Sequence, residues 1–224
     1  WIHLWEATDT PERAEAEADR LLPLMPGAGH IVHMPAHIYQ RVGRHADVIA
    51  SNLAAAKADE DYIAQCRAQG LYPLAYYPHN LHFIWMGATS AGQAQLAISS
   101  ARRLADAVPH DALTSVPILQ GFVVVPYWAM VRFGQWDQIL ADPGPQHATV
   151  FTRAVLRFAR AMALIAKGRL TDVGAELDDA HFYVDGILTP AGRAPGRVGA
   201  RSVRDEFDGL LLIRALEVEA GHVR

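Results

Sequence analysis

The chain has 224 residues, 51% of them hydrophobic and 20% charged, and a net charge of −4 from 20 basic and 24 acidic residues. That balance gives no electrostatic ground for nucleic acid or an anionic membrane as a partner, and no apolar run approaches the roughly 20 residues that span a bilayer. A lone cysteine, Cys66, rules out an internal disulfide.

Taken from the first residue onward, Ala, Leu, Arg, Glu and Gln recur at helical spacing. The pattern predicts helices over 1–8 and 11–24, then 30–42 and 45–64, then 74–87 and 91–107. It continues with 115–133 and 135–141, and with 148–167 and 169–183. The one β-branched cluster, Phe122 to Val125, runs into Pro126 and a helical pattern. Residues 189–202 form a Gly/Pro/Arg stretch expected to be a mobile loop. A last helix is expected over about 203–220. The chain opens at Trp1 inside a helical pattern and closes on Gly221-His222, which reads as a helix–helix turn. A fragment of a longer protein is therefore expected, and localisation stays open between cytoplasm and periplasm.

The turns carry the organisation. Val42-Gly43-Arg44, Phe133-Gly134-Gln135, Lys167-Gly168-Arg169 and Ala91-Gly92-Gln93 each follow one helical pattern and precede the next. A glycine in the left-handed region closes the first helix there. Asp9 to Gly43 and Gly134 to Gly168 are both separated by 34 residues, the tetratricopeptide period. The expected fold is all-α, a single right-handed helical-repeat solenoid of tetratricopeptide type with about five helix pairs.

Pro35, Pro78 and Pro126 punctuate the first helices of three pairs. A proline either begins a helix or kinks a longer one, since it cannot donate a backbone hydrogen bond. Both readings are open for Pro35 and Pro78. The choice decides whether His33 and His37 face the same way.

Eleven histidines are present, and seven lie on first helices or their approaches. His3 is followed by Glu6 three residues on. His30, His33 and His37 come next, then His79 and His82. Spacings of three and four place side chains on one helical face. Imidazole and carboxylate suit Zn, Cu or Fe, and each ring needs an acceptor on its other nitrogen, for which Glu6, Asp59, Asp61 and Tyr39 are available. His33-Met34-Pro35-Ala36-His37 lacks the internal Glu of a zincin. There is no Gly-x-Ser-x-Gly elbow, and Pro26-Gly27-Ala28-Gly29 reads as a plain turn rather than a phosphate cradle. Trp136 stands at a packing position of its turn.

Gly29-His30-Ile31-Val32-His33-Met34-Pro35-Ala36-His37-Ile38-Tyr39 with Val42-Gly43 resembles a segment shared by a group of bacterial tetratricopeptide-repeat proteins. Ile2-His3 with Glu6, Asn52, Asp61-Tyr62 and Pro78-His79-Asn80-Leu81-His82-Phe83 resemble the flanking motifs. The likeness covers about residues 1–90. It implies a longer parent chain with more repeats, and it singles out His3, Glu6, His33, His37, Asp61, Tyr62, His79 and His82.

Three readings of function follow. In the first, His3, Glu6, His33, His37, His79 and His82 hold a transition metal (Zn, Cu or Fe) on the concave face. Tyr39, Tyr77, Asn80, Trp85, Asp61 and Tyr62 then contact a small molecule, in a hydrolase or oxidase acting through activated water or oxygen. In the second, a metal-free scaffold binds a peptide or protein in the concave groove. In the third, the histidines only tie helices together.

Overall fold

The computed structural model describes residues 1–67, 72–145 and 148–178. The expected loop at 189–202 and the helix at 203–220 lie outside the described residues. Every regular element among the described residues is helical. The chain divides into two compact units, Trp1–Pro109 and His110–Arg224.

The first unit contains α1 (Ile2–Glu6), α2 (Glu15–Leu21), α3 (Gly29–His33), α4 (Pro35–Arg41), α5 (His45–Cys66), α6 (Tyr77–Ser90) and α7 (Ala94–Asp106). Helix α5 is the centre of this unit, packing against α3, α4 and α6, while α3 also touches α6 and α7 covers α6. Its core joins Ile2, Ala14, Ala18, Ala36, Ile38, Tyr39, Val48 and Phe83. Small residues allow these helices to approach closely. At Gly87, where α6 meets α5, an added Cβ would lie 2.9 Å from a Val48 methyl carbon. The end expected for this helix at residue 87 is therefore displaced to Ser90. Gly87 serves the crossing, and Gly92 makes the turn.

The turns that align in the sequence have one geometry. Gly43, Gly92, Gly134 and Gly168 have φ of 81°, 70°, 65° and 71°. In each, the amide of the following residue donates to a carbonyl five positions back: Arg44 to Tyr39 at 2.9 Å, Gln93 to Ala88 at 2.8 Å, Gln135 to Met130 at 2.9 Å and Arg169 to Leu164 at 2.9 Å. This is the Schellman closure, which satisfies the last carbonyls of a helix and needs a residue at positive φ.

Pro35 bends a helix rather than starting an isolated one. Met34, between α3 and α4, keeps right-handed helical angles (φ −50°, ψ −41°). The ladder continues through Met34 N–H to the His30 carbonyl at 3.1 Å and His37 N–H to the Met34 carbonyl at 3.3 Å. Pro78 sits in the first turn of α6, preceded by a π-helical turn over Tyr72–Tyr76.

In the second unit, α8 (Gln120–Val123) and α9 (Val125–Arg132) are separated by Val124 alone, just before Pro126, and are followed by α10 (Trp136–Ala141) and α11 (Val150–Ala166). Val124, Tyr127, Met130, Ile139, Val155, Ala159 and Ala163 form its core, with Trp128 and Trp136 packed against it. Arg157 and Arg160 of α11 both grip the buried Glu176 carboxylate at 2.8 Å.

Candidate metal centre

Because the helix continues through Pro35, His33 and His37 are one turn apart on the same face. Their Nε2 atoms face each other at 2.9 Å. His33 is fully buried and His37 is 7% exposed. His79 of α6 completes a trio whose ligand atoms all lie within 4.8 Å of one another. Phe83, one turn after His79, packs edge-on to all three rings, with centroids 4.7 Å from His33 and His37 and 4.9 Å from His79. A second group, His3, Glu6 and His37, is gathered within the same 4.8 Å and shares His37 with the first. The cluster is able to hold a metal ion.

The other nitrogen of each paired ring is fixed by an acceptor. Asn52 of α5 donates its amide nitrogen to the Val48 carbonyl at 2.8 Å, so its Oδ1 must be the atom facing His33 Nδ1 at 2.7 Å. His33 therefore donates from Nδ1, leaving the Nε2 lone pair free. Glu6 does the same for His37, its Oε1 lying 2.6 Å from His37 Nδ1. Burial opposes ionisation of Glu6, but His3 and His37 outweigh it and hold the carboxyl below its ordinary range. Helix α1, which carries Glu6, is clamped at its end by Arg41 of α4, whose guanidinium donates to the Glu6 and Thr8 carbonyls.

Two neutral imidazoles so oriented point lone pair at lone pair, an arrangement that either a bound cation or a shared proton relieves. Burial weighs against the proton. Burial, partly offset by Asn52, drives the His33 pKa down to about 2. Burial also lowers His37, against the pull of Glu6. His79 falls to about 4, again chiefly by burial. Two nitrogens held about 2.0–2.1 Å from one ion lie about 2.9 Å apart at a right angle and about 3.3 Å apart at the tetrahedral angle. The observed 2.9 Å falls at the first of these values and is equally the length of an N–H···N hydrogen bond.

The other singled-out residues fall elsewhere. His82 packs against Trp85, ring centroids 5.1 Å apart, and is not in either ligand group. His30 lies between His33 and Tyr76, ring centroids at 6.1 and 4.7 Å. Tyr39 is in the core and donates to Asp19 at 2.8 Å, with the Arg44 guanidinium over its ring. Tyr77 donates to Glu60 at 2.8 Å, and Arg103 bonds to both. Asn80 donates to the buried Asp59 carboxylate at 2.7 Å, which also accepts from Tyr72 at 2.6 Å. Asp61 pairs with Lys57 on the surface, and Tyr62 is 45% exposed with its ring against Tyr72. Of the four acceptors named in advance, only Glu6 supports a ring of the trio. The other acceptor is Asn52, which the spacing of histidines alone does not reveal. Its signal is a polar side chain on the buried stripe Val48, Asn52, Ala55, Asp59 of α5.

No helix of the described residues is long and apolar enough to cross a membrane. No protein-family model matches the chain, and no curated protein or solved structure matches it either.

Proposed function

We propose that this chain is a helical-repeat protein of tetratricopeptide type whose first unit binds one transition-metal ion on His33, His37 and His79. The observation that carries the reading is the face-to-face Nε2 pair of His33 and His37 at 2.9 Å, with both Nδ1 atoms committed to acceptors. Three imidazoles suit Zn, Cu(II) or Fe(II), and acceptors on the remote nitrogens are the usual companions of such ligands. Bound on three protein nitrogens, such an ion keeps an open position and lowers the pKa of a water there or meets dioxygen, which fits a metal-dependent hydrolase or oxidase. The chain's own contribution is to present the lone pairs, hold the tautomers through Asn52 and Glu6, and wall off water with Phe83 on one side.

Elemental analysis of protein purified without an affinity histidine tag tests the reading. The expected result is at least one equivalent of a transition metal, present as purified or taken up on reconstitution. His79→Ala removes a ligand without touching either hydrogen-bonded pair, and is expected to weaken binding by at least tenfold with the helical circular dichroism unchanged. Absence of metal after reconstitution, or full affinity in that variant, would return the protein to the class of metal-free scaffolds that grip a peptide.

A further inference from the structure

The two ligand groups share a single residue, and they meet its ring at opposite nitrogens. His37 Nε2 faces His33, while His37 Nδ1 faces Glu6. Glu6 in turn reaches His3, whose Nδ1 lies 3.0 Å from Oε2. The His3 and His37 rings are 4.6 Å apart. We infer that His37 is a bridging ligand, its ring joining the inner ion on His33 and His79 to a second, outer ion held by His37 Nδ1, Glu6 and His3. This inference rests on the inner site proposed above.

The chemistry of the outer group suits an ion of the same kind. It offers two imidazole nitrogens and a carboxylate, a donor set that Zn and Cu(II) both accept. The environments differ in a useful way. Of the inner ligands His33 and His37 are buried and His79 is half-buried, whereas the His3 side chain is 60% exposed and that of Glu6 32%. The outer ion therefore keeps contact with solvent and open positions for exchangeable ligands.

Binding the second ion exchanges one bond for another. The His37 Nδ1–H bond breaks, the metal–Nδ1 bond forms, and the proton passes by way of the Glu6 carboxylate to water. No electron is transferred. The 2.6 Å separation of Nδ1 and Oε1 is that of a hydrogen bond, so the carboxylate must move outward to admit an ion. Its partial exposure, at the end of a five-residue helix, gives it room. The ring left behind is an imidazolate, and its negative charge together with that of Glu6 offsets the repulsion between the two cations. With the inner site alone filled, Glu6 merely orients His37. With both filled, Glu6 is itself a ligand.

The test is titration of the full chain with Cu(II) alone, reading bound metal by elemental analysis after desalting and spins by electron paramagnetic resonance. Two Cu(II) ions joined through one imidazolate couple antiferromagnetically, so the expected result is two bound ions with an integrated signal well below two spins. His3→Ala, at an exposed position that leaves folding intact, is expected to reduce the count from two to one and restore a one-spin signal. One ion in the unmodified chain overturns the bridge and leaves the inner site standing. Two ions showing the full two-spin signal, or two ions retained in the His3→Ala variant, also overturn it. No bound ion at all overturns the bridge and the inner site together.

Discussion

At the scale of single residues, Asn52 decides which nitrogen of His33 is free. It is buried in the middle of α5, where an amide is out of keeping with its Ala-rich surroundings, and it is held by its own bond to the Val48 carbonyl. Asn52→Ala would leave the His33 Nδ1–H buried without an acceptor, costing about 1–3 kcal/mol. It would also free the ring to turn its proton toward the ion, and loss of such an orienting partner weakens metal binding by about 10–100-fold. Competition against a chromophoric chelator, with denaturant unfolding of the metal-free protein alongside, separates the two effects. A stability loss with unchanged affinity would mean that Asn52 only ties α3 to α5. The sequence exposed the histidines here more readily than their partners. His33 and His37 are legible from a spacing of four on one face. His79 and His82 look like an equal pair by the same reasoning, yet a spacing of three turns the second ring by about 60° around the helix. Phe83, four residues from His79, takes the place beside the trio, and His82 goes to Trp85.

At the scale of elements, the site depends on how close α3 lies to α5. Gly29 opens α3, and a Cβ there would fall 1.9 Å from Asp59 Oδ1 and 2.8 Å from the Ala55 carbonyl oxygen. Asp59 cannot yield easily, since Tyr72 and Asn80 both hold its carboxylate. Gly29→Ala is thus expected to cost stability near the upper end of the about 1–3 kcal/mol typical of overpacking, and to weaken metal binding because α3 carries His33. Gly43→Ala is the instructive contrast. Nothing lies within 4 Å of that Cβ, but φ is +81°, so the cost is backbone strain of about 1–2 kcal/mol in a turn remote from the ligands. Thermal denaturation should register both changes, and metal affinity only the first. Equal affinities in the two variants would refute the dependence on α3. The glycine at 43 was legible because a turn between two helical patterns demands it. Gly29 was not, because its demand comes from a residue thirty positions away, and it reads locally as part of a Pro-Gly turn. The bend at Pro35 was undecidable for a related reason: both a helix start and a kink put proline in the same sequence, and only packing of α3 and α4 against the same helix α5 selects the kink.

At the scale of the whole molecule, the helical class and the recurring glycine turns follow from periodicity, which is local. The division into two units does not, because it depends on which helices share a core. Every member of both ligand groups belongs to Trp1–Pro109. An ion bound there stabilises the folded form by RT ln(1 + [L]/Kd), about 2.7 kcal/mol at a free concentration of 100 Kd. That energy acts only on states in which the ligands are assembled. Openings that separate α3, α4 and α6 must release the ion, whereas openings confined to α9, α10 and α11 need not. Hydrogen–deuterium exchange of the full chain, with and without saturating Zn, reads the difference element by element. Amides of α3, α4, α5 and α6 are expected to slow by up to about 100-fold at that concentration, the factor by which the open state is depleted. Those of α9 and α11 are expected to keep their rates. Uniform slowing across both units would mean that they unfold as one, and protection confined to α11 would place the ion on residues other than the histidines of α3, α4 and α6.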